Sequence, residues 1–365
     1  MRLSDLLKTV DPVRINGIEA KQSGHVSNTS SAEHLNPDPE IGSIHYRAQD
    51  VRPRGLFVAI KGLSADGHDF IDEALRKGAS AIITQKPVKS ESIIIEVENT
   101  RKALAAISAR FFMDPSEKLF LIGITGTNGK TTTAFLIEHI LDKTGFQVGV
   151  IGTLNYRYAG KTFQNPMTTP ESFDLQKILA EMLENGVSHV VMEVSSHALD
   201  LYRVHHCKFD LVVFTNLTQD HLDYHKDMDS YWSCKKRLFT EIFDIKTDND
   251  RVQAIINQND ERGRELSHHL ESGLGRASVL STGFSANNRI RPENFSYDLG
   301  GIIGEISTPN GAFTFKSHLV GLHNLENILC ATGVGIALGL SVDAVKHGIE
   351  SVKAVPGRLE SIPND

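Results

Sequence analysis

Cysteine is scarce in this chain. Cys207, Cys234 and Cys330 are the only three in 365 residues. They are scattered and lack metal-ligand spacing, and an odd, unpatterned count fits a reducing compartment. Long hydrophobic runs are missing too. The longest, KLFLIGIT and HVVMEV, fall far below membrane-spanning length. There is no excess of positive charge. The net charge is −7, with acids and bases mixed along the chain, which excludes a nucleic-acid footprint or a membrane-surface helix. The opening MRLSDLLKTV is too short and too polar for a signal peptide. Repeats and low-complexity tracts are absent. A cytoplasmic, monomeric protein with neither nucleic-acid partners nor membrane insertion is expected. At 40% hydrophobic content, the length suits two domains that each bury a core.

What is present alternates. Up to about residue 115 the sequence reads RGLFVAI (strand), HDFIDEALRKG (helix stopped by Gly78), ASAIIT and SIIIEV (strands). TRKALAAISARFF follows, a helix with its cap at Thr100. This order implies a small α/β domain over 1–115. Asp114-Pro115 ends its last helix, because proline pushes the preceding residue out of helical geometry. The next stretch opens with LFLIGIT, a continuous apolar run of the kind buried on both faces of a parallel sheet. After a glycine loop comes TTAFLIEHILDKTG. Here Phe135, Leu136, Ile140 and Leu141 recur near helical spacing and Gly145 supplies the stop. QVGVIGT, SFDLQKILAEMLENG, SHVVMEV, DLVVFTN, YWSCKKRLFTEIF and QAIINQ continue the alternation, so a doubly wound α/β domain is expected over 116–355. GIIGEIST and GAFTFKSH, joined by a PNG turn, read as a hairpin at that sheet's edge. Helices over NLENILCATGVGIALG and SVDAVKHGIESV follow, and residues 356–365 read as the entry to a further segment.

Residues 123–133, GITGTNGKTTT, resemble a phosphate loop but break its usual spacing. A Walker A loop has Gly-x-x-x-x-Gly-Lys-Ser/Thr. Counting back from Gly129 puts its first glycine at Ile124, whereas the glycines sit at Gly123 and Gly126. Context favours the phosphate reading over a simple glycine turn. A buried strand precedes and a helix follows, the arrangement that aims backbone N–H groups at an anion. Gly126 and Gly129 are expected to let the backbone approach phosphate oxygens. Lys130 would reach the terminal phosphates, and Thr131 would offer its hydroxyl to Mg²⁺.

Three constellations lie near later strand ends. EVSSHALD carries Glu193, Ser195, Ser196 and His197. NLTQDHLDYH carries Asp220, His221, Asp223 and His225. YWSCKKRLF places Lys235 and Lys236 on a helix. Ligands of open α/β sheets bind at the carboxyl ends of strands, so the first two share an edge with the loop. A carboxylate and an imidazole there could hold Mg²⁺ beside nucleotide. Equally, Glu193 could cap a helix and His221 could be an ordinary loop histidine. Spacing alone favours Lys235 as a solvated surface charge.

GITGTNGKTT, MTTPES, MEVSSHALDLYR, NLTQDHLDYHKDM, CKKRLF, HNLEN and PGRLE, in this order, resemble the Mur ligases of peptidoglycan synthesis, within them the MurE type. IHYRAQDVRPRGLFVAIKGLSADGHDFI is similar to that type's uridine-binding domain, so the resemblance covers essentially the whole chain. It implies an ATP-dependent ligase that joins a third amino acid, diaminopimelate or lysine, to UDP-N-acetylmuramoyl-L-alanyl-D-glutamate through an acyl phosphate. It implies that Gly126, Thr127, Asn128, Gly129, Lys130, Thr131 and Thr132 cradle ATP, and that Asn324, Asn327 and Arg358 also contact it. Thr131, Glu193 and His221 would hold metal. Lys235 matches a lysine that the family carbamylates with CO₂, which would serve a second Mg²⁺. Lys130, Glu193, His221 and Lys235 form the implied catalytic set. Thr168, Thr169, Ser195 and Arg203 match positions that contact the sugar-peptide. Ile44, Tyr46, Gly62, Leu63, Ser64 and Ala65 align with the uridine site.

The chain departs from the family in places. His45-Tyr46-Arg47 stands where Asp-Ser-Arg is common, so a phenol replaces a serine hydroxyl. Met167 and Leu201 each replace a polar residue of some relatives. The family's C-terminal Rossmann-like domain has no counterpart before Asp365, so an incomplete chain, inactive alone, is expected. Two other readings compete. A folylpolyglutamate synthetase shares the loop and the chemistry but begins at its ATPase domain, without a counterpart of residues 1–115. A non-catalytic nucleotide-binding regulator would have no use for Lys130, Glu193, His221 and Lys235 together.

Overall fold

The computed structural model describes residues 1–19, 37–62, 64–245, 253–272 and 278–358. It divides into two compact units. The first comprises Met1–Pro115 together with Glu171–Ala180 and Leu201–His206; the rest of the chain forms the second.

The first unit is built on a six-stranded sheet in the order Ile18–Glu19, Pro12–Ile15, Ile93–Val97, Ala79–Thr84, Gly55–Val58, Ser43–His45. The last four run parallel, and Pro12–Ile15 pairs antiparallel with Ile93–Val97. Side chains alternate across a strand, so Leu56 and Val58 join Leu3, Leu6, Leu104 and Ile107 on one face. Phe57 and Ala59 join Ile71 and Ala74 on the other. The helix Thr100–Phe111 is capped by Asn99, whose side chain accepts from the Arg101 and Lys102 N–H groups, rather than by Thr100 as expected. Asn99 has the extended backbone a cap needs, while the Thr100 hydroxyl donates to Gln85 Oε1 at 2.9 Å.

The second unit holds an eight-stranded sheet in the order Lys161–Phe163, Tyr156–Tyr158, Val148–Ile151, His189–Glu193, Phe120–Thr125, Leu211–Phe214, Gln253–Asn257, Ser278–Thr282. Only the two pairings made by Tyr156–Tyr158 are antiparallel. The strand order reverses at Phe120–Thr125, with His189–Glu193 on one side and Leu211–Phe214 on the other. Such a switch point opens a crevice at the strand ends. The helix Lys130–Asp142 packs Leu136, Ile137 and Ile140 into a core shared with Leu325, Ile328 and Val345. The PNG hairpin is not at the edge of this sheet. Gly301–Thr308 and Gly311–Ser317 join Arg291–Asp298 in a separate three-stranded sheet. Ile302, Ile306, Phe313 and Phe315 are buried in the unit's core, and that burial sets the sheet's place. The strand Ser278–Thr282 and the helix Glu261–Ser272 were not expected from the sequence.

Candidate functional site

The glycine loop leaves Phe120–Thr125 at the switch point and enters the helix at Lys130. It is tied down by the segment that follows Leu211–Phe214. Thr127 N–H donates to the Asn216 carbonyl at 2.9 Å, and Asn128 N–H to Asn216 Oδ1 at 2.9 Å. Thr215 Oγ1 donates to the Asn128 carbonyl at 2.6 Å. The Thr127 hydroxyl donates to the Thr218 carbonyl at 3.1 Å and lies 3.2 Å from Tyr231 Oη.

The glycines also meet a packing demand within the protein. A Cβ on Gly126 (φ +149°) would lie 1.9 Å from Thr215 Oγ1, and one on Gly129 (φ +87°) 2.2 Å from Asn327 Oδ1. Their missing side chains make room for polar groups of the protein itself.

Two lysines meet on one oxygen. Lys130 Nζ donates to the Gly126 and Thr127 carbonyls, both at 2.8 Å. Lys235 Nζ donates to the same Gly126 carbonyl at 2.8 Å, and lies 4.6 Å from the centroid of the Tyr231 ring. Lys235 is 1% exposed, which overturns the surface reading that spacing favoured. It lies on the inward stripe of the helix Met228–Ile245 with Tyr231, Trp232 and Leu238, which are also buried. Burial, then repulsion by Lys130, holds the Lys235 ammonium well below the ordinary lysine range. Burial also lowers Lys130, while Glu193 and Asp220 pull it back up and Arg358 lowers it further.

Glu193 ends its strand buried, 2% exposed. Oε2 accepts from Thr131 Oγ1 at 3.0 Å and Thr153 Oγ1 at 2.9 Å, and Oε1 from Thr153 N–H at 3.0 Å. Its carboxylate therefore caps no helix. Ser195 does that, accepting from Ala198 N–H at 3.2 Å. Thr169 Oγ1 donates to the Glu193 carbonyl at 2.8 Å and accepts from Ser195 N–H at 3.2 Å. Thr168 Oγ1 lies 3.2 Å from Thr153 Oγ1. Thr131, Thr168, Thr169, Glu193 and Ser195 are thus brought together. Thr153 joins them unforeseen, although VIGTLN has the same Gly-Thr at a strand end as the loop itself.

His221 stands apart. Its side chain is 44% exposed, Nε2 lies 3.6 Å from Asp220 Oδ2, and its ring meets His197 edge-on at 5.0 Å. No group of three or more His, Cys, Asp or Glu able to hold a metal occurs among the described residues. The oxygen pair of Thr131 and Glu193 nevertheless has the hard-donor chemistry that Mg²⁺ takes. Thr132 is buried in the helix's first turn. Asn324 and Asn327 are buried as well. Asn327 Nδ2 donates to Asn324 Oδ1 at 3.0 Å, and its own Oδ1 accepts from Thr133 Oγ1 at 3.4 Å.

In the first unit Ile44 is core, 1% exposed. Tyr46 Oη donates to Asp174 Oδ2 at 2.5 Å. Burial, then that bond, raises the Tyr46 phenol, and burial raises the Asp174 carboxyl. Both line a cavity of about 680 Å³ with His45, Arg47, Arg52, Phe112, Phe173 and Lys177. Gly62 N–H donates to the Ala65 carbonyl at 2.8 Å, closing the turn that carries Ser64; Leu63 lies outside the described residues. Arg203 Nε lies 3.6 Å from Glu171 Oε2.

Fold and loop together define a phosphate-loop α/β protein. Residues 124–335 match the Mur ligase middle domain, and residues 40–112 match the model described as Mur ligase family, catalytic domain. The chain is 41% identical over 367 residues to the UDP-N-acetylmuramoyl-L-alanyl-D-glutamate--2,6-diaminopimelate ligase of Geobacter sulfurreducens, covering 100% of this chain and 68% of that protein. A solved structure of a ligase of that name superimposes with a TM-score of 0.79 at 24% identity, covering 89% of this chain and 65% of the other, a likeness of fold alone. The MurF ligase of Thermotoga maritima in complex with ADP gives 0.58 at 26% identity over 86% of this chain and 67% of its own. The chain belongs to the Mur ligase family. It spans about two thirds of the length of these relatives.

Proposed function

We propose that this chain carries the nucleotide-sugar and ATP sites of an ADP-forming, ATP-dependent acid–amino-acid ligase of the cytoplasm. It would add the third amino acid of the peptidoglycan peptide to UDP-N-acetylmuramoyl-L-alanyl-D-glutamate. Diaminopimelate is the amino acid named for the Geobacter relative, and lysine is the alternative. The observation that carries the reading is the convergence of Lys130 and Lys235 on the Gly126 carbonyl, with Thr131 on the buried Glu193 carboxylate. The competing folylpolyglutamate reading gives no role to residues 40–112, which match a Mur ligase model.

A carboxylate is a poor electrophile, and phosphorylation gives it a leaving group. The residues fit that task. The N-terminus of the helix Lys130–Asp142 and the Lys130 ammonium, released from the loop carbonyls, would face the charge of a transferring phosphoryl group, which must be offset in a site of low polarity. Thr131 and Glu193 would hold Mg²⁺, and His221 would join them only by moving from its present contacts with Asp220 and His197. Bound magnesium would supply charge neutralisation at the phosphates. Burial, then Lys130, lowers the Lys235 pKa, which favours the uncharged amine that accepts CO₂, and its carbamate would be an anion suited to a second Mg²⁺. Thr168, Thr169 and Ser195 would orient the sugar-peptide, with Asn324, Asn327 and Arg358 on the adenine side.

The test is calorimetric titration of the chain with UDP-N-acetylmuramoyl-L-Ala-D-Glu, using UDP-N-acetylglucosamine and a folate as controls. Micromolar binding of the muramoyl dipeptide, about 8 kcal/mol, is expected, with much weaker binding of the controls. Tighter binding of the folate would overturn the reading.

A further inference from the structure

Asn257, the last residue of Gln253–Asn257, is 1% exposed and uses both hydrogens of its side-chain amide. Nδ2 donates to the Thr215 carbonyl at 2.8 Å and to Glu326 Oε2 at 3.1 Å. Its Oδ1 accepts from Asn259 N–H at 3.1 Å. Asn259 Nδ2 in turn donates to Glu326 Oε1 at 2.9 Å. Each oxygen of the half-buried Glu326 thus meets one asparagine amide. Thr215, also 1% exposed, passes the restraint on, because its hydroxyl donates to the Asn128 carbonyl of the glycine loop at 2.6 Å. The helix Leu322–Ala337 therefore reaches the loop twice. Asn327 Oδ1 lies against Gly129, and Glu326 acts through Asn257 and Thr215.

A free asparagine amide can turn over and exchange its oxygen for its NH₂. An ionised carboxylate only accepts, and a backbone N–H only donates. Glu326 on one edge and Asn259 N–H on the other therefore fix which way Asn257 faces, and so which group meets the Thr215 carbonyl. We propose that Glu326 is a positioning residue for the phosphate loop. Through Asn257 and Thr215 it sets how residues 126–129 are presented to the phosphates of a bound nucleotide, and in this role it touches no nucleotide itself. Glutamine cannot replace it, since one of its two ends is a donor and would face an asparagine NH₂. The inference rests on the reading of this loop as a phosphate site.

The experiment titrates wild type, Glu326→Gln, Glu326→Ala, Thr215→Val and the Glu326→Gln/Thr215→Val double variant with ADP by calorimetry. Adenosine, followed by ligand-observed NMR, reports on contacts to base and ribose, and melting temperature reports on folding. Glu326→Gln is expected to weaken ADP about tenfold, the scale of one lost hydrogen bond, with adenosine unchanged. Glu326→Ala should weaken ADP less, since it sets no donor against the asparagines, and it carries the test should Glu326→Gln not fold. The double variant should lose little more than Thr215→Val alone, as coupled residues do. Charge alone predicts the opposite sign, because removing a negative charge beside an anion site tightens anion binding. ADP binding that is equal or tighter in the Glu326 variants, whatever their melting temperatures, would overturn the proposal. So would equal losses of ADP and adenosine, or losses of Glu326→Gln and Thr215→Val that multiply. Wild type that binds ADP no better than adenosine would overturn the phosphate-loop reading, and this proposal with it.

Discussion

In the second unit, most residues marked by short motifs end within hydrogen-bond reach of one another or of one shared oxygen, and His221 is the exception. Lys130 and Lys235 meet at Gly126, and Thr131, Thr153 and Thr169 surround Glu193. In the first unit, Ile44 is core, Tyr46 pairs with Asp174, and Arg203 faces Glu171. Parallel strands of a doubly wound sheet present their carboxyl ends on one edge, so each local motif arrives at the crevice by topology. The first unit instead draws Glu171–Ala180 and Leu201–His206 from far along the chain, and no local motif announces those pairings. A chemical site made of strand-end loops is legible piece by piece. A surface made of long-range pairs is not.

This contrast can be broken by substitutions that touch one unit only. The largest effect is expected from Lys130→Ala. It should weaken ADP and ATP binding by at least a hundredfold, about 3 kcal/mol, and leave UDP binding alone. Calorimetry with both nucleotides checks it, and equal ADP affinity would remove Lys130 from the phosphate site. Gly126→Ala follows, because its Cβ would sit 1.9 Å from Thr215 Oγ1 at a φ of +149°. A loss of about 3 kcal/mol in urea unfolding is expected. If Gly126→Ala is as stable as wild type, the loop packs differently.

Lys235→Met should act in the opposite direction. The folded chain holds Lys235 below its usual 10.5, so between those two values the unfolded chain binds more protons. Stability must then rise with pH through that window. The methionine variant should be about 1–2 kcal/mol more stable at neutral pH and show a flatter profile into the alkaline range. A profile as steep as wild type would mean that Lys235 is not the source. Tyr46→Phe should have the smallest effect, about 1 kcal/mol from the lost bond to Asp174. It belongs to the first unit, so uridine-ligand affinity should move and ADP affinity should not. The reverse would erase the contrast between the two units.

The strands LFLIGIT, SHVVMEV and DLVVFTN were legible because a strand buried on both faces is apolar throughout. The place of the PNG hairpin was not, since its own turn says nothing about which core will cover it. Nor was the burial of Lys235. In YWSCKKRLF two lysines stand side by side, and only the helix's rotation against the loop decides which one goes inward.

Much of the alternation of strands and helices, the glycine loop at a strand end and the family of these motifs could be read from the residues alone, because each depends on residues within a few positions of one another. Folding had to put Lys130 and Lys235 on the Gly126 carbonyl, Thr215 and Asn327 against Gly126 and Gly129, and Arg203 beside Glu171. Those contacts close between segments far apart in the chain, and they form only when the cores of the two units bring the segments within reach.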